Sequence, residues 1–174
     1  MTRWQRHTDP LLVPYNVPLL GADQEEQFWE YWTSKPATVS LAGEMDGRFI
    51  AHVLLRALDL HASCADLGIS MDPAHIGAGI GTKLLCLTRS YAAQVLGIRT
   101  ITLDVAGWNR RARRAYEKAG FREVERRWVQ WDTPVDLRAL LAQPGNEWLT
   151  EFVRIDTGYT IVEVRMCAQE TRSI

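Results

Sequence analysis

Three glycines, Gly77, Gly79 and Gly81, are spaced two apart in the stretch Leu-Gly-Ile-Ser-Met-Asp-Pro-Ala-His-Ile-Gly-Ala-Gly-Ile-Gly-Thr at 67–82. An alternating apolar run precedes them and stops at Pro73, and an amphipathic segment follows. That order reads as strand, loop and helix start. Glycine tolerates turns and leaves amide N–H groups uncovered, here where the orphan N–H groups of a new helix also point outward. The loop is therefore built to hold an anion, and phosphate suits it. Two familiar phosphate loops fail on counting. A G-x-G-x-x-G fingerprint needs glycine at 82 or 84, where Thr82 and Leu84 stand, and a G-x-x-x-x-G-K loop from Gly77 meets Thr82-Lys83.

A second strand and helix follow at 99–121. Ile101, Leu103 and Val105 alternate with Thr100, Thr102 and Asp104, as in a half-buried strand. Ala112, Ala115, Tyr116 and Ala119 then fall at i, i+3, i+4 and i+7 on one helical face, with Asn109 as N-cap and Gly120 as the C-terminal stop.

With both halves in place, the chain resembles the GNAT superfamily of N-acetyltransferases and other acyl-CoA-dependent N-acyltransferases. Its signature segments run approximately V-x-P-x-x-R/Q-G-x-G-I-G-x-x-L-L and L-x-V-x-x-x-N-x-x-A-x-x-x-Y-x-x-x-G-F. Met71 and Pro73, the Gly77–Gly81 run, Leu84-Leu85, Leu103, Val105, Asn109, Ala112, Tyr116 and Gly120-Phe121 match in register. The resemblance covers residues 37–131 well. It implies an α/β (α+β) fold: a mixed, mostly antiparallel central sheet with one splayed parallel strand pair and flanking helices. It also implies acetyl-CoA as acyl donor, lying along Ile69 and Met71, over Ile76, Gly77, Ala78, Gly79, Ile80, Gly81 and Thr82, and against Asn109 and Tyr116. One position departs from the family pattern. Where an Arg or Gln usually precedes the glycines, this chain has Ile76, so a side-chain contact to the pyrophosphate is missing while the backbone amides remain.

The resemblance further implies direct attack of an acceptor amine on the thioester, with a backbone N–H of the glycine-loop strand polarising the carbonyl and Tyr116 protonating the leaving thiolate. A phenol near pKa ~10 can give a proton to a thiolate of pKa about 8.5 without ionising at neutral pH. The attacking amine, mostly ammonium at neutral pH, needs a base. Asp104 is the first candidate, because it lies on the strand face opposite Ile101, Leu103 and Val105, and Asp66 is the reserve. Each also reads as a sheet-face carboxylate paired to an arginine.

Charge is uneven along the chain. Residues 99–127 carry nine Lys or Arg against four Asp or Glu, although the whole chain has a net charge of −1. Arg110, Arg111, Arg113, Arg114 and Lys118 read as a solvated helix face or, beside a phosphate loop, as counter-charge for the phosphates of coenzyme A. The 174 residues and 47% apolar content suit one domain spanning 1–174, and near-neutral charge gives no general attraction to nucleic acid or an anionic membrane. No apolar run approaches 18 residues and the first residues are too polar for a signal peptide, so a cytoplasmic protein is expected. Cys64, Cys86 and Cys167 are widely spaced in apolar contexts, and four scattered histidines add no ligand spacing, so neither a disulfide framework nor a metal site is expected.

The remaining elements read coarsely. An aromatic-rich helix is expected at 23–34, then strands near 37–42 and 48–58 around a Met-Asp-Gly turn at 45–47. Strand 64–71 runs parallel to strand 99–105 across a helix at 82–96 whose buried stripe is Leu84, Leu87 (or Thr88), Tyr91 and Val95. Gly68 suggests a bulge or a close backbone approach. Strands near 121–131 and 159–167 enclose a long insert at about 133–157, opening at Thr133-Pro134 and holding a Pro-Gly-Asn turn, with enough leucine at 135–142 for a short helix. The insert, flanked by Trp128, Trp131 and Trp148, is expected to fold over the sheet end. Trp29, Trp32 and Trp131 would wall the acceptor pocket, and Asp132, Asp136, Glu147 and Glu151 would favour a cationic amine. A homodimer contact is the competing use of such a leucine- and tryptophan-rich insert. The acceptor class is a small-molecule amine or a protein N-terminal amine. The alternatives are a non-catalytic acyl-CoA-binding module, a longer acyl-CoA as donor, and a nucleotide-binding protein, the last lacking a Gly-Lys-Ser/Thr or a ribose-binding acid.

Overall fold

The computed structural model describes residues 4–18, 21–133, 135–155 and 158–169; Pro134, which opens the insert, lies outside them. Seven segments are extended: β1 (Val39–Met45), β2 (Arg48–Asp59), β3 (Cys64–Met71), β4 (Thr100–Ala106), β5 (Arg122–Gln130), β6 (Val153–Ile155) and β7 (Tyr159–Gln169). They form one sheet in the order β1-β2-β3-β4-β7-β5, with β6 also on β7. Every pairing is antiparallel except β3 with β4. The helices are α1 (Ala22–Thr33), α2 (Ile80–Gln94), α3 (Arg110–Lys118) and α4 (Leu137–Leu141). This is the mixed, mostly antiparallel sheet with flanking helices that the signature segments imply.

The β1–β2 turn has Asp46 at φ 51° and Gly47 at φ 70°. Positive φ at both central positions matches the strand twist across a two-residue hairpin, which explains the Asp-Gly pair. β1 runs three residues beyond the expected 37–42.

The parallel pair holds for only three steps, Cys64↔Thr100, Ala65↔Ile101 and Asp66↔Thr102. β4 meanwhile stays paired to β7 from Thr100↔Gln169 to Ala106↔Glu163, so β3 is the strand that leaves. Leu67 to Met71 keep β2 on one side and open a cleft on the other. Gly68 is not a bulge. The β2–β3 register runs unbroken from Ala51↔Met71 to Arg56↔Asp66, and the irregularity lies between Arg56 and Asp59, where Ala57 has φ 49°. A Cβ at Gly68 would meet Leu54 Cβ at an ordinary 3.9 Å.

The buried stripe of α2 differs from expectation. Leu85, Thr88 and Ala92 face the sheet, whereas Leu87, Tyr91 and Val95 are 59%, 36% and 64% exposed. Two apolar stripes run along this helix, and periodicity alone does not choose between them. Packing does, because Thr88 and Ala92 are small enough to let the helix axis approach the strands.

The insert is core rather than lid. Leu137, Leu140, Leu149, Phe152 and Val153 join the cluster that holds Trp108, Val162 and Val164. β6 takes the edge of β7 that β4 leaves beyond Ala106, with Val153↔Ile161 and Ile155↔Tyr159. Trp131 packs on Trp108 with centroids 5.0 Å apart, and Trp148 packs on Phe152 at 6.2 Å. Leu137, Leu140 and Leu149 of the insert are thus buried within the chain. Leu149 is 1% exposed. Leu149→Ala should cost about 2–5 kcal/mol of stability in denaturant unfolding, by transfer and cavity terms, with turnover per folded molecule unchanged.

Candidate active site

The cleft between the splayed strands opens into a cavity of about 1150 Å³ that runs from the glycine loop to the inner side of α1. At one end, Asp72 caps the short turn Pro73–His75 by accepting from Ala74 N at 3.0 Å. The chain then passes through Gly77 at φ 95° and Gly79 at φ 77°, and Gly79 is the N-cap of α2. A Cβ at either glycine would have nothing within 4 Å, so it would stand in the open mouth of the loop. The first amides of α2 have no intrahelical acceptor, and the N-terminal end of the helix dipole adds partial positive charge. This cradle fits a diphosphate without side-chain help.

Counter-charge comes from α3. Asn109 caps it, its Oδ1 accepting from Ala112 N at 3.1 Å, and this aims the first turn at the cavity. Arg110, Arg111, Arg114 and Lys118 line the cavity, whereas Arg113 is held by Glu123 at 2.8 Å. Of the expected donor-binding residues, Ile69, Met71, Ile76, Gly77, Gly79, Gly81, Thr82, Asn109 and Tyr116 line it. Ala78 in the loop and Ile80, the first residue of α2, are not in the lining. Ile76 is half-buried at the rim with no charge of its own. Ile76→Arg should tighten coenzyme A binding about tenfold in calorimetric titration, through a charge-assisted bond to phosphate.

Tyr116 enters the same cavity from α3, its ring 6.0 Å from Phe121. Burial, with the neighbouring Tyr15 phenol adding to it, pushes the Tyr116 hydroxyl up to about 12. The phenol is thus more firmly protonated than the sequence alone suggests. Tyr15 arrives from the N-terminal segment. Burial pushes its phenol up too, against hydrogen bonds from the Asn109 side chain and the Ala106 backbone.

Asp104 also faces the cavity, but inside an ion-pair network. Its Oδ2 lies 3.1 Å from Arg127 and 3.3 Å from Arg165. Asp66 accepts from Arg165 at 3.0 Å and from the Thr102 hydroxyl. Arg127 also holds Glu163 at 2.6 Å. Strand alternation puts all of these on one face, and cross-strand neighbours of opposite charge meet there.

The other end of the cavity is built by α1 and the N-terminal segment. Phe28 and Trp32 line it, with centroids 6.2 Å apart, facing Pro14, Val17 and His52. Trp29 is not in the lining but braces His52 from behind, centroids 4.9 Å apart. Trp131, Asp132, Asp136, Glu147 and Glu151 are not in the lining, because the insert fills space beyond β4 instead. Asp136 instead caps α4, accepting from Ala139 N and from the Tyr159 hydroxyl. Sequence reasoning missed Tyr15, Phe28 and His52. A histidine alternating with Ala51, Val53 and Leu55 was the available signal for the last.

Among the described residues no group of His, Cys, Asp or Glu could hold a metal ion, and no helix is long and apolar enough to cross a membrane.

The sequence matches the model of the acetyltransferase (GNAT) family over residues 4–121. A search of curated protein sequences finds no significant match. Among solved structures, the chain is similar to spermidine N-acetyltransferase from Vibrio cholerae in complex with CoA and spermine. The two share 18% identity at a TM-score of 0.64, over 96% of this chain and 93% of that one. It is also similar to a chimera of the Vibrio cholerae enzyme SpeG and hSSAT, with 21% identity and a TM-score of 0.64 over 88% and 80%. At these identities the likeness is one of fold.

Proposed function

The chain belongs to the acetyltransferase (GNAT) family and is an acyl-CoA-dependent N-acyltransferase, and from that premise we propose that it acetylates the primary amine of a small molecule by direct attack within a ternary complex. The observation that carries this reading is the continuity of one cavity from the Gly77–Gly81 cradle, past Tyr116, to the aromatic pocket of Phe28 and Trp32. Donor and acceptor sites meet at the point where β3 leaves β4. Polyamines are the first acceptors to test, because the structurally similar proteins are named for spermidine. A protein N-terminal amine is the other class.

Bound in the cleft, acetyl-CoA supplies a thioester whose carbonyl carbon accepts the amine and whose sulfur leaves. The chain's own groups do the rest. The loop amides and the α3 cations hold the phosphates, and the unpaired edge of β3 from Leu67 to Met71 offers N–H groups to the carbonyl oxygen. Tyr116 protonates the departing sulfur, and its phenolate recovers a proton from the nitrogen that has bonded to carbon. Asp104 keeps Arg127 and Arg165 in place on the sheet face.

The test is release of free thiol from acetyl-CoA with spermidine, spermine, an aminoglycoside, amino acids and an N-terminal peptide, with the product read by mass. Transfer to at least one amine is expected. Tight binding of acetyl-CoA without transfer to any of them would make the chain an acyl-CoA-binding module, and faster transfer from a longer acyl-CoA would reassign the donor.

A further inference from the structure

We infer that His52 is the general base, its Nδ1 taking the proton from the acceptor ammonium as the amine meets the thioester carbonyl. This rests on the amine-transfer reading above and adds the residue that reading lacks. His52 sits in the middle of β2, 8% exposed, and its side chain lines the cavity. It pairs across the sheet with Ser70, on the part of β3 that has no β4 partner. Directly opposed residues on antiparallel strands have Cα atoms about 4.5–5.5 Å apart, so the imidazole borders the stretch that faces the thioester.

The ring is held rather than free. Nε2 lies 2.7 Å from Ser40 Oγ on β1, and Trp29 of α1 meets the ring edge to face at 4.9 Å. The proposed base is the tautomer in which Ser40 Oγ accepts from Nε2–H, which puts the lone pair on Nδ1. That atom makes no hydrogen bond among the described residues and is not among the sealed polar atoms. Asp104 and Asp66, by contrast, are charge-neutralised by arginine, Asp104 through Oδ2 to Arg127 and Arg165 and Asp66 through Oδ1 to Arg165.

The charged and titratable groups on the elements around His52 are Arg56 on its own strand, Asp66 on β3, Glu44 on β1, and Glu25, Glu26 and Glu30 on α1, while His7, Asp104, Glu163 and the α3 cations line the same cavity. Burial, not any of these charges, pushes the imidazole below histidine's usual 6.5. At neutral pH it is therefore uncharged and ready to accept a proton. In the step, His52 gains one proton from R–NH₃⁺, the nitrogen lone pair forms the C–N bond, and the C–S bond breaks. The sulfur takes the Tyr116 proton, the second N–H proton returns to Tyr116, and imidazolium releases its proton to water. One proton leaves per turnover.

The pH profile of kcat/KM for spermidine separates this from a structural role. With a neutral base acting on an ammonium, the rate is flat between about pH 7 and 8.5. Without the base the free amine must be used, and the rate rises tenfold per pH unit toward the amine pKa near ~10. The wild type should be flat, and His52→Gln should fall about 10²-fold at pH 7 and acquire the rising slope, with coenzyme A affinity unchanged. A rising wild-type profile, or a flat one in His52→Gln, overturns the assignment. Should the variant not fold, or spermidine not react, the wild type still decides by nuclear Overhauser contact between the acetyl methyl of bound acetyl-CoA and the His52 ring protons. Contact is expected, and its absence overturns the proposal. Failure of acetyl-CoA to bind would instead count against the transfer reading.

Discussion

Gly79→Val should abolish detectable coenzyme A binding, raising Kd by more than about 10²-fold in calorimetric titration while most of the fold persists. Two effects combine. Gly79 has φ 77°, where a β-branched residue costs about 1–3 kcal/mol, and relief of that strain turns the amides of α2 away from their common focus. The new side chain would also project into the open mouth of the loop, where the diphosphate has to lie. Gly81 provides the contrast. It has no positive φ, and a Cβ there meets Met71 Cε at 3.5 Å, so Gly81→Ala should bind within several-fold of wild type. Unchanged affinity in Gly79→Val would remove the loop from the donor site.

Tyr116→Phe should lower kcat by about 10²-fold with little change in KM for acetyl-CoA, since only the hydroxyl is lost. Its phenol, pushed up to about 12, stays protonated through the working range, so it is available at every neutral pH. The same shift makes outright transfer to a thiolate of pKa ~8.5 uphill by roughly 3.5 units. Proton transfer must therefore accompany C–S cleavage rather than precede it, which predicts a solvent isotope effect on kcat that Tyr116→Phe loses. A stability effect follows as well. Because the folded value lies above the ordinary 10.0, stability present below pH 10 is lost as pH rises toward 12, and Tyr116→Phe should lose that part of the alkaline sensitivity. Full activity in the Phe variant would leave Tyr116 as packing against Phe121.

What could be read from the sequence was local. The glycine loop, the Asn109 cap, the Gly120 stop and the alternation of Ile101, Leu103 and Val105 are each dictated by backbone conformation or by the period of a single element. Their spacing was enough for the family and the parallel strand pair. The cationic turn of α3 was legible too, except that Arg113 turned out to be tied to Glu123 on β5, a partner ten residues away.

Packing settled which of two compatible local patterns is buried, and what meets across strands far apart in sequence. On α2 the choice between the stripes at 84/87/91/95 and 85/88/92 depends on how closely the helix approaches the sheet, so the small side chains at Thr88 and Ala92 won. The insert carries leucine, tryptophan and acids, equally suited to a lid or a core. It became core because β4 ends at Ala106 while β7 extends beyond it, leaving an edge and an apolar face to cover. Asp104 reads in its own strand equally as a base or as half of an ion pair, and only the β4–β7–β5 register brings Arg165 and Arg127 to it across 61 and 23 residues. His52 was likewise invisible as chemistry, one histidine in an apolar strand, until Ser40, Trp29 and the departure of β3 from β4 gave it a held ring beside the cleft. Periodicity records which face of an element is apolar; it carries no information about what the other face will find, because that depends on contacts the chain makes only once folded.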